Sequence, residues 1–420
     1  MATALRRYRF ERTRLLLLLS VIGPGIITAN VDNDAGGITT YSVAGARYGY
    51  AFLWMMPLVA IALIVVQEMS ARLGIVTGKG LGDLIRETMR LRITVLILGL
   101  LLLVNLANTV SEFAGVAASL EIFGVSKFIS VPLAAVAVWL LIIKGNYRTV
   151  ERVFLVASAI YLCYIASGVM TKPDWGEVSQ AFTQPTFHFE TAYVTLFVTI
   201  IGTTIAPWMQ FYQQAAVADK GLKPQNYRLE VVDVVVGALF AVVVAMFIMI
   251  ACADTLHDRQ IDITDAGDAA LALRPLAGKY ASTLFALGLL NASLFAASIL
   301  PLSTAYTVCE AFGWESSVNR RFQEAPMFFG IYTALIVLGA LIILLPIKSL
   351  IQAMMVSQTM NGVLLPVILI AMLLLINNKR LMGKFVNGRI YNLIAWTTVS
   401  LLIGLTLILI VVSLFPNGLR

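Results

Sequence analysis

The fold is decided by residues 23–37, which read GPGIITANVDNDAGG and lie inside the first hydrophobic span of the chain. Aspartate at the depth of a bilayer is costly, so it marks a functional site by default. The glycines and the proline weaken the helix at the same place. Secondary transporters build cation sites from broken helices that present carbonyl groups and carboxylates at mid-membrane. The stretch therefore predicts a cation site with Asp34 as its main anionic ligand and Asp32 beside it.

The composition is that of an all-α polytopic membrane protein. Of the 420 residues, 59% are hydrophobic and 13% are charged, with a mean hydropathy of +0.87; a soluble domain has about 25% charged residues. Because one span needs about 20 residues, we expect a single membrane transport domain over residues 1–420. The eleven predicted spans are 14–46, 50–74, 93–120, 127–144, 150–170, 191–218, 229–253, 280–312, 326–346, 347–376 and 389–415.

The distribution of charge predicts how the chain crosses the membrane. Lysine and arginine give a formal net charge of +7, and most of them lie in the segments on one side of the predicted spans, beginning with the arginine-rich residues 6–14. The largest loop on the other side, residues 254–268, is acidic. This positive-inside pattern predicts a cytoplasmic N-terminus and an extracytoplasmic C-terminus, in a bacterial inner membrane. It makes the lipid bilayer, and not nucleic acid, the partner of the basic residues.

A second interrupted span lies at residues 191–218, where Gly202, Thr203, Thr204 and Pro207 break an apolar helix. The two breaks are five spans apart, and paired broken helices in corresponding positions indicate a transporter site between two repeats. Because five is odd, the second repeat would be inverted. We therefore predict repeat one over residues 1–170, repeat two over residues 191–376 and an accessory helix over residues 389–415.

The remaining residue types exclude several other functions. The three cysteines are widely spaced in predicted spans, and the two histidines fall in predicted loops, so neither forms a metal cluster. The glycine-containing segment 71–80 lacks the spacing of a phosphate loop. We expect no enzyme activity, no nucleotide, no cofactor and a monomeric protein.

Several motifs resemble the NRAMP family of divalent-metal transporters over nearly the whole chain. They are GPG at 23–25, DAGG at 34–37, QEMSARLGIVTGK at 67–79, EFAG at 112–115, APW at 206–208, SQ at 357–358 and LMG at 381–383. The resemblance implies the LeuT-type fold, with eleven transmembrane helices, inverted repeats of helices 1–5 and 6–10, and broken helices 1 and 6. It also implies a divalent metal ion as the substrate.

The departures from the family pattern are informative. The family's metal-binding asparagine and methionine correspond to Gly37 and Ala206, and its two sixth-helix histidines correspond to Trp208 and Gln213. A third-helix aspartate corresponds to Thr109. Loss of the thioether removes a soft ligand that favours transition metals, and Mg²⁺ is bound through one or two carboxylates with waters retained. The pattern resembles the NRAMP-related magnesium transporter branch, and it predicts import of largely hydrated Mg²⁺, with Mn²⁺ as a further substrate and without proton coupling.

The predicted ion site combines side chains, backbone groups and positions that leave space. Asp34 and Asp32 would supply charge, Ala35 a freed backbone carbonyl, and Thr203, Thr204 and Gln358 contacts to the ion or its waters. The full set of predicted site residues is Asp32, Asp34, Ala35, Gly37, Thr203, Thr204, Ala206, Gln358 and Asn361. Gly37 and Ala206 are expected to act by leaving room.

Three alternatives remain open from the sequence. One is ordinary proton-coupled Mn²⁺ or Fe²⁺ uptake, against which the missing methionine and histidines argue. Another is a non-transporting sensor, for which no output domain is visible. The third is an amino-acid carrier on the same fold, which two aspartates at the break oppose because the substrate carboxylate would be repelled.

Overall fold

The computed structural model describes residue 28 and residues 31–144, 158–318 and 320–414. Within these residues the chain is helical. The helices are α1 Ala35–Tyr48, α2 Met56–Thr77, α3 Leu81–Thr88, α4 Leu91–Glu121, α5 Lys127–Lys144, α6 Leu162–Met170, α7 Trp175–Thr183, α8 Thr191–Thr204, α9 Pro207–Asp219, α10 Tyr227–Thr255, α11 Ala266–Ala270, α12 Arg274–Ala277, α13 Ala281–Phe312, α14 Pro326–Leu344, α15 Leu350–Ile376, α16 Lys379–Met382 and α17 Arg389–Leu414.

The helices agree with the predicted spans wherever the structure describes them. Nine helical stretches in the described residues are long and apolar enough to cross a bilayer, and they match predicted spans 2, 3, 4 and 6 to 11. The first and fifth predicted spans extend outside the described residues, so only α1 and the apolar stretch Ala159–Met170 represent them. The predicted division of the chain into two repeats, residues 1–170 and residues 191–376, stays a prediction.

The second interrupted span consists of two helices, as predicted. Helix α8 ends at Thr204, Ile205 leaves the helical region with φ −122° and ψ 57°, and Ala206 is extended. Pro207 then begins α9 at a position where its missing N–H costs nothing. The same proline cannot donate to the carbonyl of Thr203, so the break leaves a backbone acceptor without its helical donor.

Two long helices, α4 and α13, form the centre of the molecule. They pack on each other along their length, and α4 also packs against α14 and α15. On the other side of α15 lies α8, where Gly202 and Gly362 face each other. A Cβ atom on Gly202 would lie 2.3 Å from the Gly362 nitrogen, so the absence of side chains lets the two helices approach closely.

A buried ion pair ties α2 to the segment that precedes and begins α17. The Arg72 guanidinium lies 3.1 Å from Glu68, donates to the Phe385 carbonyl at 3.0 Å and hydrogen-bonds Asn387. Its charge also lies 5.4 Å from the centre of the Tyr391 ring. A buried guanidinium with this many partners fixes the relative position of the two elements.

The glycine contact between α8 and α15 leads to a stability prediction. Gly202→Ala should lower the free energy of unfolding by about 1–3 kcal/mol, because the new methyl group overlaps backbone atoms of α15. Gly330→Ala in α14 is the matched control, since its Cβ would meet nothing within 4 Å. Chemical denaturation in detergent measures both variants, and equal stability of the two would contradict the packing account.

Candidate functional site

Asp34 is the last residue of the turn that begins at Asn33 and directly precedes α1. Its backbone is extended, and its Oδ1 accepts a 2.6 Å hydrogen bond from the Gly37 N–H. Asp34 therefore caps the helix, and the positive end of the helix dipole stabilises its charge. Beyond the cap, the Asp34 carboxylate also interacts with the side chains of Glu112 and Gln358.

Glu112 of α4 brings a second carboxylate to the same place. The Glu112 side chain is fully buried, its Oε2 accepts a 3.3 Å hydrogen bond from the Ala35 N–H, and its Oε1 has no hydrogen-bond partner. It also interacts electrostatically with Asp34. Sequence reasoning singled out the EFAG motif but left Glu112 out of the ion site, although Asn105, Asn108 and Glu112 recur at helical spacing and mark one polar face of α4.

Asp32 adds a third buried carboxylate. It is 1% exposed, and neither of its carboxylate oxygens has a hydrogen-bond partner. Asp32 interacts electrostatically with Asp34. The neighbouring Asn33 amide is also buried without a partner, so the turn holds more polar groups than the protein itself satisfies.

None of these three carboxylates is paired with a basic side chain in the described residues. The ion pairs found there join Arg47 to Asp262, Arg72 to Glu68, Lys79 to Glu87 and Arg320 to Glu315. A buried, unpaired carboxylate is strongly destabilising, and three of them must be neutralised by protons or by a bound cation. Buried carboxylates without basic partners are what the predicted cation site requires.

The structure distinguishes the two predicted threonines. The Thr204 hydroxyl donates to the Ile200 carbonyl and lies 2.8 Å from the Tyr41 hydroxyl, so it serves the helix and its contact with α1. The Thr203 hydroxyl is 2% exposed and has no partner. It would lie 3.3 Å from a Cβ placed on Gly37. Thr203 is therefore the hydroxyl available at the break.

Gln358 and Asn361 of α15 also differ in their roles. Asn361 exchanges two hydrogen bonds with Asn108 of α4, at 2.9 and 3.1 Å, and donates to Gln358 Oε1 at 2.8 Å. The Gln358 amide nitrogen points at Gly36, beside the Asp34 carboxylate. Asn361 thus holds Gln358 in position, and Gln358 is the member of the pair that reaches the break.

Two predicted backbone positions are corrected by the structure. Ala35 is the first residue of α1, so its carbonyl takes part in the helical hydrogen bonds and the predicted free Ala35 carbonyl is wrong. Its N–H is the group without a helical partner, and it donates to Glu112. Extra room was predicted at Gly37, but a Cβ there would lie 2.6 Å from the Asp32 carbonyl oxygen. The glycine permits this close approach and leaves no open space in this conformation.

Ala206 lies at the second break, 2% exposed, and its carbonyl accepts hydrogen bonds from the Met209 N–H and the Gln210 side chain, both at 3.1 Å. Its methyl group offers no ligand. Within the described residues no group of three or more histidine, cysteine, aspartate or glutamate side chains is arranged around one point. An ion here would complete its coordination with carbonyl, hydroxyl or amide groups and water.

The positions that correspond to the family's titratable residues carry other side chains in other roles. Trp208 is buried beside Tyr212, and its carbonyl accepts from Ser303. Gln213 links Thr28 to Glu230, at 3.4 and 2.8 Å. The Thr109 hydroxyl donates to the Asn105 carbonyl of its own helix.

Comparisons with known proteins agree with the fold and with a divalent-metal transporter family. The chain is 26% identical over 400 residues to the divalent metal cation transporter MntH of Granulibacter bethesdensis, covering 93% of this chain and 87% of that protein. It is also 26% identical over 409 residues to MntH of Bacillus subtilis, covering 94% and 92%.

Solved structures match over most of the chain. The Eremococcus coleocola manganese transporter, in complex with an aromatic bis-isothiourea compound, superposes with a TM-score of 0.74 at 22% identity, covering 96% of this chain and 89% of that one. A nucleobase-cation-symport-1 transporter in a closed conformation superposes with a TM-score of 0.59 at 13% identity, covering 92% of each chain. These likenesses confirm the predicted LeuT-type fold.

The model of one protein family, described as natural resistance-associated macrophage protein-like, matches residues 25–412. The match includes both breaks, Glu112 and the α15 residues that reach Asp34. The chain therefore belongs to the natural resistance-associated macrophage protein-like family of multi-pass membrane transporters.

Proposed function

We propose that this protein imports divalent metal ions through the site at the two helix breaks, with Mg²⁺ as its preferred substrate and Mn²⁺ as a further one. The observation that supports transport of a cation is the set of buried carboxylates of Asp32, Asp34 and Glu112, none of which has a basic partner. Its MntH relatives are divalent metal cation transporters, and a divalent cation neutralises two adjacent carboxylates.

The donor types at the breaks support the preference for Mg²⁺. Carboxylates, the Thr203 hydroxyl and backbone carbonyls are hard oxygen donors, which suit Mg²⁺. Position 206 supplies no thioether. A Mg²⁺ ion keeps several waters and needs one or two carboxylates from the protein, which agrees with a site where no three acidic side chains converge. On this proposal the chain belongs to the magnesium-transporting branch of the family.

The surroundings of Glu112 support transport without proton coupling. One turn before Glu112, Thr109 replaces a carboxylate, and its methyl group faces Gly339 of α14. Helix α14 contains no charged residue and no histidine, so it offers no group that exchanges protons near neutral pH. Membrane voltage can drive import instead, because a divalent ion gains about 4.6 kcal/mol per 100 mV.

Proton-coupled Mn²⁺ uptake is the second candidate, and one contact favours it. The Met354 sulfur of α15 lies 3.6 Å from the Thr39 hydroxyl, within the first turns of α1. A thioether this close to the break could become a soft ligand if α15 shifted by one helical turn. The manganese transporter with a similar structure gives this alternative a concrete precedent.

Asp34→Asn separates the charge of Asp34 from its role as a helix cap, since asparagine caps helices about as well as aspartate. In proteoliposomes at fixed voltage, with a Mg²⁺ dye inside, Asp34→Asn should reduce Mg²⁺ uptake at least about tenfold, the effect of 1.4 kcal/mol of lost ion stabilisation. Its thermal stability should stay close to that of the unchanged protein.

Asp174→Asn is the matched control for this experiment. Asp174 caps α7 in the same way, through a 2.7 Å hydrogen bond from the Gly176 N–H, but it is exposed. The control should transport normally. Undiminished Mg²⁺ uptake by Asp34→Asn would overturn the proposed site, and uptake of Mn²⁺ but not Mg²⁺ by the unchanged protein would overturn the proposed preference.

Proton coupling is tested by recording internal pH during the same uptake. We expect Mg²⁺ to enter without acidification and at a rate that depends on voltage, because the residues that replace the family's proton carriers do not titrate near neutral pH. A symport mechanism would instead acidify the interior in proportion to the metal that enters.

A further inference from the structure

A largely apolar groove of about 420 Å³ lies between α4 and α15, away from the ion site. On α4 it is lined by Leu103 and Val110, and on α15 by Ala353, Val356 and Met360. Leu103 is 54% exposed and Val356 57% exposed, so the groove opens at the surface of the helix bundle. In a chain that spans a membrane, an apolar surface of this kind faces lipid.

The groove is separate from the ion site because it lies on a different face of α15. The side of α15 that faces α1 and the break carries Met354 and Gln358, which contact Thr39 and lie against Gly36. The groove residues Ala353, Val356 and Met360 point elsewhere on the same helix. Its contents therefore need not be the transported ion.

The length of the groove matches one leaflet of a bilayer. Along α15 and its N-cap it runs from Ser349 to Met360, which is twelve residues and about 16 Å at a rise of 1.5 Å per residue. The hydrocarbon core of one leaflet is about 15 Å thick, half of the whole. An acyl chain that starts at the beginning of α15 would therefore end near the middle of the membrane.

Positive charge marks the end of the groove that lies at the α14–α15 connection. Lys348 lines the groove there, and Lys127 of α5 donates to the carbonyls of Ile343 in the last turn of α14 and of Leu345 at the start of the connection, at 2.9 and 2.8 Å. Neither lysine takes part in an ion pair among the residues that the structure describes. From the charge distribution we expect this connection on the extracytoplasmic side, where lysine and arginine are scarce, so two lysines without ion pairs, one in the connection and one beside it, are unexpected there.

We propose that the groove between α4 and α15 binds an anionic phospholipid, with one acyl chain in the groove and the phosphate at Lys348 and Lys127. Acyl chains gain no hydrophobic free energy by leaving the bilayer for an apolar groove. Selection among lipids therefore depends on the headgroup, and basic residues near the surface attract anionic lipids over zwitterionic ones.

Native mass spectrometry of the purified protein tests this proposal by its lipid content, independently of transport. Phosphatidylglycerol and phosphatidylcholine with identical acyl chains are added in equal amounts. We expect the unchanged protein to retain one phosphatidylglycerol in preference to phosphatidylcholine. Lys348→Gln should weaken that preference about fivefold, the effect of one lysine near the membrane surface.

Two further variants make the result specific. Ala353→Phe fills the groove and should reduce retention of both lipids, whereas Lys348→Gln changes only the preference between them. Lys279→Gln is the matched control, because Lys279 is an exposed lysine, as Lys348 is, but does not line the groove. Unchanged preference in Lys348→Gln, or an equal loss in Lys279→Gln, would overturn the proposal.

Discussion

Unpaired negative charge inside the membrane is the constraint on which the rest of this structure depends. Asp32, Asp34 and Glu112 are almost completely buried, and the described residues place no lysine or arginine beside them. The N-terminus of α1 compensates part of this charge, since Gly37 and Ala35 donate backbone N–H groups to Asp34 and Glu112. The remaining charge is available to a cation, which is why a feature that would destabilise an ordinary helix bundle suits a transporter.

The surrounding helices hold these groups in place. The Asn108–Asn361 pair joins α4 to α15 and orients Gln358 toward the break. The close approach of Gly202 and Gly362 sets the position of α8 relative to the same α15. The Thr204–Tyr41 contact then joins the two broken helices to each other. The positions of both breaks therefore depend on contacts with α15. Any movement of α15 would change the site as a whole.

The elements of the fold followed from the sequence because membrane spans are long and strongly apolar, and because Pro207 and the aspartates near residue 34 mark helix ends by their local chemistry. What the sequence could not supply is the direction in which each side chain points. Thr203 and Thr204 are adjacent and chemically identical, and only the geometry of the break shows that Thr204 serves its own helix while Thr203 has no partner. Glu112 could have been assigned to the site, because Asn105, Asn108 and Glu112 lie on one polar face of α4. The error at Ala35 arose because the first residue of α1 was not known, and one residue decides whether an N–H or a carbonyl is left over.

The account's central claim is that the carboxylates at the first break bind a divalent cation directly. Anomalous X-ray scattering from crystals soaked in Mn²⁺, which substitutes for Mg²⁺ and is visible at its absorption edge, tests this claim without depending on transport. We expect one strong peak in contact with Asp34, close to Glu112 and Thr203, and we expect that peak to disappear in Asp34→Asn. A peak that persists in the variant, or one that lies away from both helix breaks, would contradict the claim.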